Sequence, residues 1–146
     1  MLTEECNRVE ATLHAPPTML EGEPKLLRRM VRNLLENARR HGDGAPIALQ
    51  LQREAAATPT CQPEHGTQET LRLSVCDTGP GVLPNERENI FIPFYRLPGA
   101  RERNGSVGLG LSLVRQIARR HGGEVRCLPR AGQGTCFEVT LRLLAC

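Results

Sequence analysis

Hydrophobic residues recur along the chain with two periods, and the switch from one to the other lays out an order of elements. From Glu23 to Gly42, EPKLLRRMVRNLLENARRHG, the apolar positions Leu27, Met30, Val31, Leu34, Leu35 and Ala38 fall at helical spacing. Pro24 suits the first turn, where an N–H has no partner to lose, and Gly42 is a natural stop. The same period returns in LGLSLVRQIARRHGG, Leu109 to Gly123, through Leu109, Leu113, Val114, Ile117 and Ala118, with Gly122 and Gly123 closing it. Alternation predicts strands in RVEATLH (Arg8 to His14), in IALQLQR with Ile47, Leu49 and Leu51 on one face, and in LRLSVCD (Leu71 to Asp77). It predicts two more in VRCLPRAGQGTCFEVTLRL, around a Gly-Gln-Gly turn, where Phe137, Val139, Leu141 and Leu143 alternate. The stretch from Ala55 to Gln68 has no period and is rich in turn formers, which predicts a surface loop between antiparallel strands. NERENIFIPFYR predicts a short helix running into a proline-broken segment, and LPGARERNGSVG, without an apolar face, a long mobile loop. Strand, helix, strand, strand, loop, helix, strand, strand predicts an α/β fold: a two-layer sandwich with a mixed, mostly antiparallel sheet and helices on one face.

A chain of 146 residues is long enough to bury a proper core and reads as a single domain over 1–146. The net charge of +3 arises from 19 basic residues, mostly Arg, dispersed among 16 acidic ones, and there are three Phe, one Tyr and no Trp. With neither a basic block nor interleaved aromatics, nucleic acid is not an expected partner. Cys6, Cys61, Cys76, Cys127, Cys136 and Cys146 form no C-x-x-C pair and have no His at metal-ligand spacing, so they are read as reduced, in an intracellular protein. No apolar run approaches the ~20 residues of a membrane span, and the N-terminus has no secretory pattern.

Three places carry candidate chemistry. VCDTGPGV puts Asp77 at the end of a strand and the mouth of a turn with Gly79 and Gly81; a lone motif of this kind is more often turn chemistry than a site. Asn33 and Asn37, four residues apart, share a helix face on the side of His41, away from Leu27, Val31, Leu34 and Ala38. Asn competes for backbone hydrogen bonds and is disfavoured mid-helix, so two of them point to a ligand, against the plainer reading of a solvated face. An amide oxygen suits Mg²⁺, a hard ion that retains waters and substrate phosphates in its shell. NGSVGLGL opens directly into a helix whose first N–H groups, with those beside the glycines, form a phosphate cradle. Arg96, Arg101 and Arg103 precede it as candidate polyphosphate contacts or as solvated loop residues.

The joint pattern is more specific than its parts. N-L-L-E-N-A on a helix, D-T-G-P-G after a strand, I-F-I-P-F-Y-R, and G-L-G-L opening a helix that ends H-G-G resemble, over residues 8 to 143, the ATP-binding catalytic domain of bacterial sensor histidine kinases. These lie in the superfamily that includes gyrase, mismatch-repair and heat-shock chaperone ATPases. The resemblance implies that Asp77 accepts a hydrogen bond from the adenine amine, beside Gly79, Gly81 and Val82. It implies that Asn37 is the Mg²⁺ ligand, with Asn33 one turn before it, and that Arg40 contacts phosphate. His41 stands where an adenine-side tyrosine is common. Phe91, Phe94 and Arg96 match the aromatic motif at the base of a nucleotide lid, and Gly105, Ser106, Val107, Gly108, Leu109, Gly110 and Leu111 match the second glycine motif. Asn33, Asn37 and Arg96 are the implied catalytic positions.

Ser106 replaces a usual glycine, and a required positive φ there would strain it slightly. None of His14, His41, His65 or His121 is followed by the acidic residue and Thr-Pro or Ser-Pro of the family's phosphoacceptor. The resemblance therefore implies the catalytic half of a longer kinase, truncated upstream of Met1. It would bind ATP with Mg²⁺ and phosphorylate a histidine on a separate dimerisation domain, and that domain would serve a response regulator. The implied setting is a cytoplasmic domain, monomeric alone, of a homodimeric inner-membrane sensor. Two alternatives stand beside this: an ATP-hydrolysing module of the wider superfamily, for which Glu36 is the candidate base, and a regulatory interaction domain without kinase activity.

Overall fold

The computed structural model describes residues 9–14, 20, 22–42, 45–55, 69–95 and 109–143. Strands β1 (Val9–His14), β2 (Ile47–Ala55), β3 (Glu69–Asp77), β4 (Glu124–Pro129) and β5 (Thr135–Arg142) form one sheet in the order β1-β2-β3-β5-β4. β1 runs parallel to β2, and all other neighbours are antiparallel. A parallel pair needs a crossover rather than a hairpin, and helix α1 (Pro24–His41) supplies it. Pro24 takes the first helical turn and Gly42 the C-terminal cap, as the sequence predicts. Helix α2 (Gly110–Arg120) packs beside α1 and covers β4 and β5, while α1 covers β2 and β3.

Burial alternates residue by residue along β3 and β5, the signature of a sheet with one covered face. Leu71, Leu73, Val75, Phe137, Val139 and Leu141 meet Met30, Leu34 and Ala38 of α1 and Val114, Ile117 and Ala118 of α2. Each fully buried aliphatic side chain contributes roughly 1.5–3 kcal/mol. Leu27 and Val31, expected in the core, are only half-buried; Met30 rather than Val31 is central to the helix stripe.

The end of α2 is fastened to the start of α1. His121 donates from Nδ1 to the Ile117 carbonyl at 2.7 Å and accepts the Glu23 N–H on Nε2 at 3.0 Å, while Arg120 pairs with the Glu23 carboxylate at 2.5 Å. The two hydrogen bonds require the neutral Nδ1–H tautomer.

Two expectations are corrected. The single short helix after the glycine turn is instead two 3₁₀ turns, Pro84–Glu86 and Asn89–Phe91, a geometry used in short pieces where no α-helical stretch can extend. The cysteines are not all reduced: the β3–β5 register sets Cys76 opposite Cys136, and a disulfide joins them. Cys127 is a free, buried cysteine whose thiol is pushed up to about 11, mainly by burial. Among the described residues no helix is long and apolar enough to cross a membrane.

Candidate functional site

Asp77 is the last residue of β3 and only 2% exposed. A carboxylate is rarely this buried unless something holds it. Its Oδ1 accepts the Gly79 N–H at 2.8 Å, a bond across two residues that fixes the side chain at the mouth of the turn. A Cβ on Gly79 would collide with the His41 carbonyl, so the glycine lets the β3 turn lie against the end of α1. Gly81 has φ 81°, in the left-handed region that glycine enters without strain. Val82 is half-buried, and its carbonyl accepts Arg87 Nε at 3.2 Å.

From α1, Asn33 reaches across to α2: its Nδ2 donates to the Gly110 carbonyl at 3.4 Å, a long bond joining the asparagine face to the glycine-led helix start. Asn37 lies half-buried one turn on, and Arg40 and His41 are exposed on the last turn. It is therefore the backbone of His41 that touches the Asp77 loop through Gly79. Glu36 points elsewhere. With Arg28, Val31, Arg32 and Leu35 it lines a groove on the other flank of α1.

Gly110 opens α2, and a Cβ built there meets nothing within 4 Å. Neither a neighbouring atom nor a positive φ demands glycine at this point. The bare backbone instead exposes the first N–H groups of α2, whose preceding residue, Leu109, makes no side-chain cap. A helix start of this kind fits an incoming phosphate group. Leu109 is 40% exposed and Leu111 half-buried. For a metal, the described residues contain no group of three or more His, Cys, Asp or Glu. A single amide ligand at Asn37 fits Mg²⁺ carried by a polyphosphate, and does not fit an ion caged by the protein alone.

Phe91, which the resemblance assigns to the aromatic motif, lies in the core. It is 3% exposed, packs edge-on against Phe137 with ring centroids 6.1 Å apart, and carries the Arg115 guanidinium 4.8 Å over its face. Phe94, in contrast, is 66% exposed with φ 65°, a conformation that bulky side chains rarely adopt. Arg96, Gly105, Ser106, Val107 and Gly108, with the loop arginines Arg101 and Arg103, lie outside the described residues.

Two residues not singled out in the sequence join the site. Thr135, 4% exposed, is the β5 partner of Asp77, a second buried polar group beside it. Arg115 bonds Glu88 at 2.9 Å and Glu124 at 3.2 Å while covering Phe91, so it ties the 3₁₀ segment to α2 and β4. Burial works against both charges in the Arg115–Glu124 pair and is outweighed. Glu88 and Glu124 raise the Arg115 pKa, and the Val125 N–H with Arg119 and Arg115 holds the Glu124 carboxyl below its ordinary value. A Gly-Thr pair at the head of an alternating run was the one sequence signal for Thr135; Arg115 had none.

Residues 22–145 match the family model described as "Histidine kinase-, DNA gyrase B-, and HSP90-like ATPase". The chain is 34% identical over 120 residues to "Adaptive-response sensory kinase SasA" of Parasynechococcus marenigrum (strain WH8102), covering 82% of this chain and 28% of that protein. Against the protein of the same name from Rippkaea orientalis (strain PCC 8801 / RF-1) it is 35% identical over 126 residues, 86% of this chain and 29% of the relative. It thus spans less than a third of the length of these curated relatives. Among solved structures it resembles the "Mycobacterial sensor histidine kinase MprB", with TM-score 0.73, 28% identity, and coverage of 95% of this chain and 85% of that one. Full-length ShkA in complex with AMPPNP aligns with TM-score 0.70 and 26% identity over 97% of this chain and 27% of that one.

Proposed function

Because the chain belongs to the histidine kinase-, DNA gyrase B- and HSP90-like ATPase family, we propose that it is the catalytic domain, over 1–146, of a sensor histidine kinase. It binds Mg-ATP and transfers the γ-phosphoryl group to a histidine on the separate dimerisation domain of the same kinase, for relay to a response regulator. The observation that carries this reading is the buried Asp77 carboxylate, held by the Gly79 N–H against the end of α1, the helix whose Asn33 reaches the glycine-led start of α2.

The residues divide the work by position. Asp77 accepts the adenine amine, and Gly79, Gly81 and Val82 form the close backbone surface beside it. Asn37 supplies an amide oxygen to Mg²⁺, and Asn33, through the Gly110 carbonyl, keeps that face in register with α2. The first N–H groups of α2 approach phosphate oxygens, with Arg40 and the Arg96 and Gly105–Gly108 segment as further phosphate contacts. Bound Mg²⁺ would neutralise developing charge on the phosphates. Positioning and charge compensation are most of what phosphoryl transfer requires. Glu36 sits in the groove on the other flank of α1, which weighs against its activating water as in a chaperone-type ATPase.

ShkA was solved with AMPPNP bound, which supports the choice of an adenine nucleotide. In the full-length kinase this domain would lie on the cytoplasmic side of an inner-membrane sensor that forms a homodimer. A titration with a fluorescent ATP analogue, with and without Mg²⁺, tests the binding step. Saturable binding strengthened by Mg²⁺ is expected; no binding in either condition overturns the proposal.

A further inference from the structure

Cys76 and Cys136 face each other across β3 and β5 with their Cα atoms 4.1 Å apart. Their strand neighbours Val75, Asp77, Thr135 and Phe137 are buried beneath the helices, so strand alternation puts both cysteines on the sheet's other face, where each is half-exposed. A small oxidant or a reducing dithiol can reach them there. Cys127, the β4 neighbour of Phe137, points into the covered face instead; burial keeps it a thiol and sets it apart from the pair.

The pair is one rung from the candidate site. Cys76 immediately precedes Asp77 and Cys136 follows Thr135, and Asp77 with Thr135 forms the last rung of the β3–β5 ladder. Beyond that rung, Gly134 lies so close to the Asp77 carbonyl that a Cβ there would collide, and its own carbonyl would stand 3.5 Å from a Cβ on Gly81. The turn between β4 and β5 is thus laid directly on the Asp77–Gly81 loop. The last rung of a ladder is where strands open first, and a covalent link beside it opposes that opening.

We propose that Cys76 and Cys136 are a reversible redox site, disulfide when oxidised and dithiol when reduced, whose state sets how firmly β5 and its turn hold the Asp77–Gly81 loop and hence nucleotide affinity. With hydrogen peroxide as oxidant, one thiolate attacks a peroxide oxygen to give a sulfenic acid and releases hydroxide, which is protonated to water. The second thiolate then displaces the sulfenic oxygen as a second water. Two thiols lose two electrons and two protons, and one peroxide becomes two waters. A reducing dithiol reverses the change through a mixed disulfide and is itself oxidised. The oxidised form has the better-held loop and binds nucleotide more tightly.

The affinity part rests on the Mg-ATP reading, whereas the structural part does not, and the experiment separates them. The chain is prepared reduced with a phosphine and oxidised with hydrogen peroxide, then followed by peptide mapping, amide hydrogen exchange and ATP titration. A Cys76–Cys136 linked peptide should appear with peroxide and vanish with phosphine. Amides 77–82 should exchange more slowly in the oxidised form by about threefold or more, ATP should bind more tightly, and the C76S/C136S double variant should lose the redox response. Absence of the linked peptide, or a linked form with unchanged exchange, overturns the redox site; ATP bound by both states with equal affinity overturns its control of nucleotide binding. If neither state binds ATP while exchange still differs, the nucleotide reading fails and the redox effect on the loop stands.

Discussion

Replacing Asp77 with Asn alters one buried group without changing its shape. The side chain is 2% exposed, and its Oδ1 holds the Gly79 N–H at 2.8 Å. Asn can keep that bond with its amide oxygen, which leaves the turn intact and puts the amide NH₂ where the second carboxylate oxygen stood. A donor then stands where the adenine amine, itself a donor, requires an acceptor. Losing a charge-assisted hydrogen bond in a buried site costs roughly 1.5–3 kcal/mol, so Kd for ATP should rise about ten- to 150-fold. The stability change should stay within about 1 kcal/mol, a Tm shift of about 4 °C or less for a chain of this size. Calorimetric titration with ATP, paired with thermal unfolding, separates the two effects. A folded Asp77→Asn protein with unchanged ATP affinity would refute the assignment of adenine recognition to Asp77.

Asn37→Ala should weaken Mg-ATP binding more than adenosine binding, read by parallel titrations; an equal loss would mean that Asn37 serves the fold or the base and not the metal. Leu34 is 0% exposed at the centre of the core, and Leu34→Ala should cost about 2–5 kcal/mol, read as a lower urea midpoint at unchanged slope. The Glu124 carboxyl is held below its ordinary value of 4.5 because its bonds to the Val125 N–H, Arg119 and Arg115 outweigh the effect of burial. A depressed folded-state pKa gives stability that is complete above about 4.5 and lost as pH falls through the folded value. Glu124→Gln should therefore flatten the acid limb of the stability-pH curve and leave its shape above pH 6 or so unchanged; an unaltered acid limb would show that the pair contributes nothing there.

Elements that depend on local periodicity were legible in the sequence. α1 begins at Pro24 and ends before Gly42 because its apolar stripe, its first-turn proline and its terminal glycine agree. Asp77 was legible because two glycines beside a strand-ending carboxylate record a backbone demand that a ligand or a tight turn imposes. Pairing choices were not legible. β5 lies between β3 and β4, so nothing local to Cys76 or Cys136 announces that they meet, and the expectation of reduced thiols failed on that register. The packing of Phe91 was not legible either, because an apolar ring suits the core as well as a ligand, and its edge-on contact with Phe137 and the Arg115 cation over its face depend on the pairing of distant segments. Arg115 itself joins three segments distant in sequence, a role that no spacing along α2 encodes.

The central claim, phosphoryl transfer to histidine from this domain, is tested most directly with radiolabelled ATP, the chain alone, and the chain with the purified dimerisation domain of the same kinase. Tethering raises effective concentration, reaching ~10⁵ M or more in well-oriented cases, so transfer to a domain supplied separately should be slow but measurable. The account predicts no label on this chain, little phosphate release, and acid-labile, base-stable label accumulating on the added domain. Label on this chain itself, or rapid phosphate release without a partner, would contradict it and place the protein among the hydrolysing members of its family.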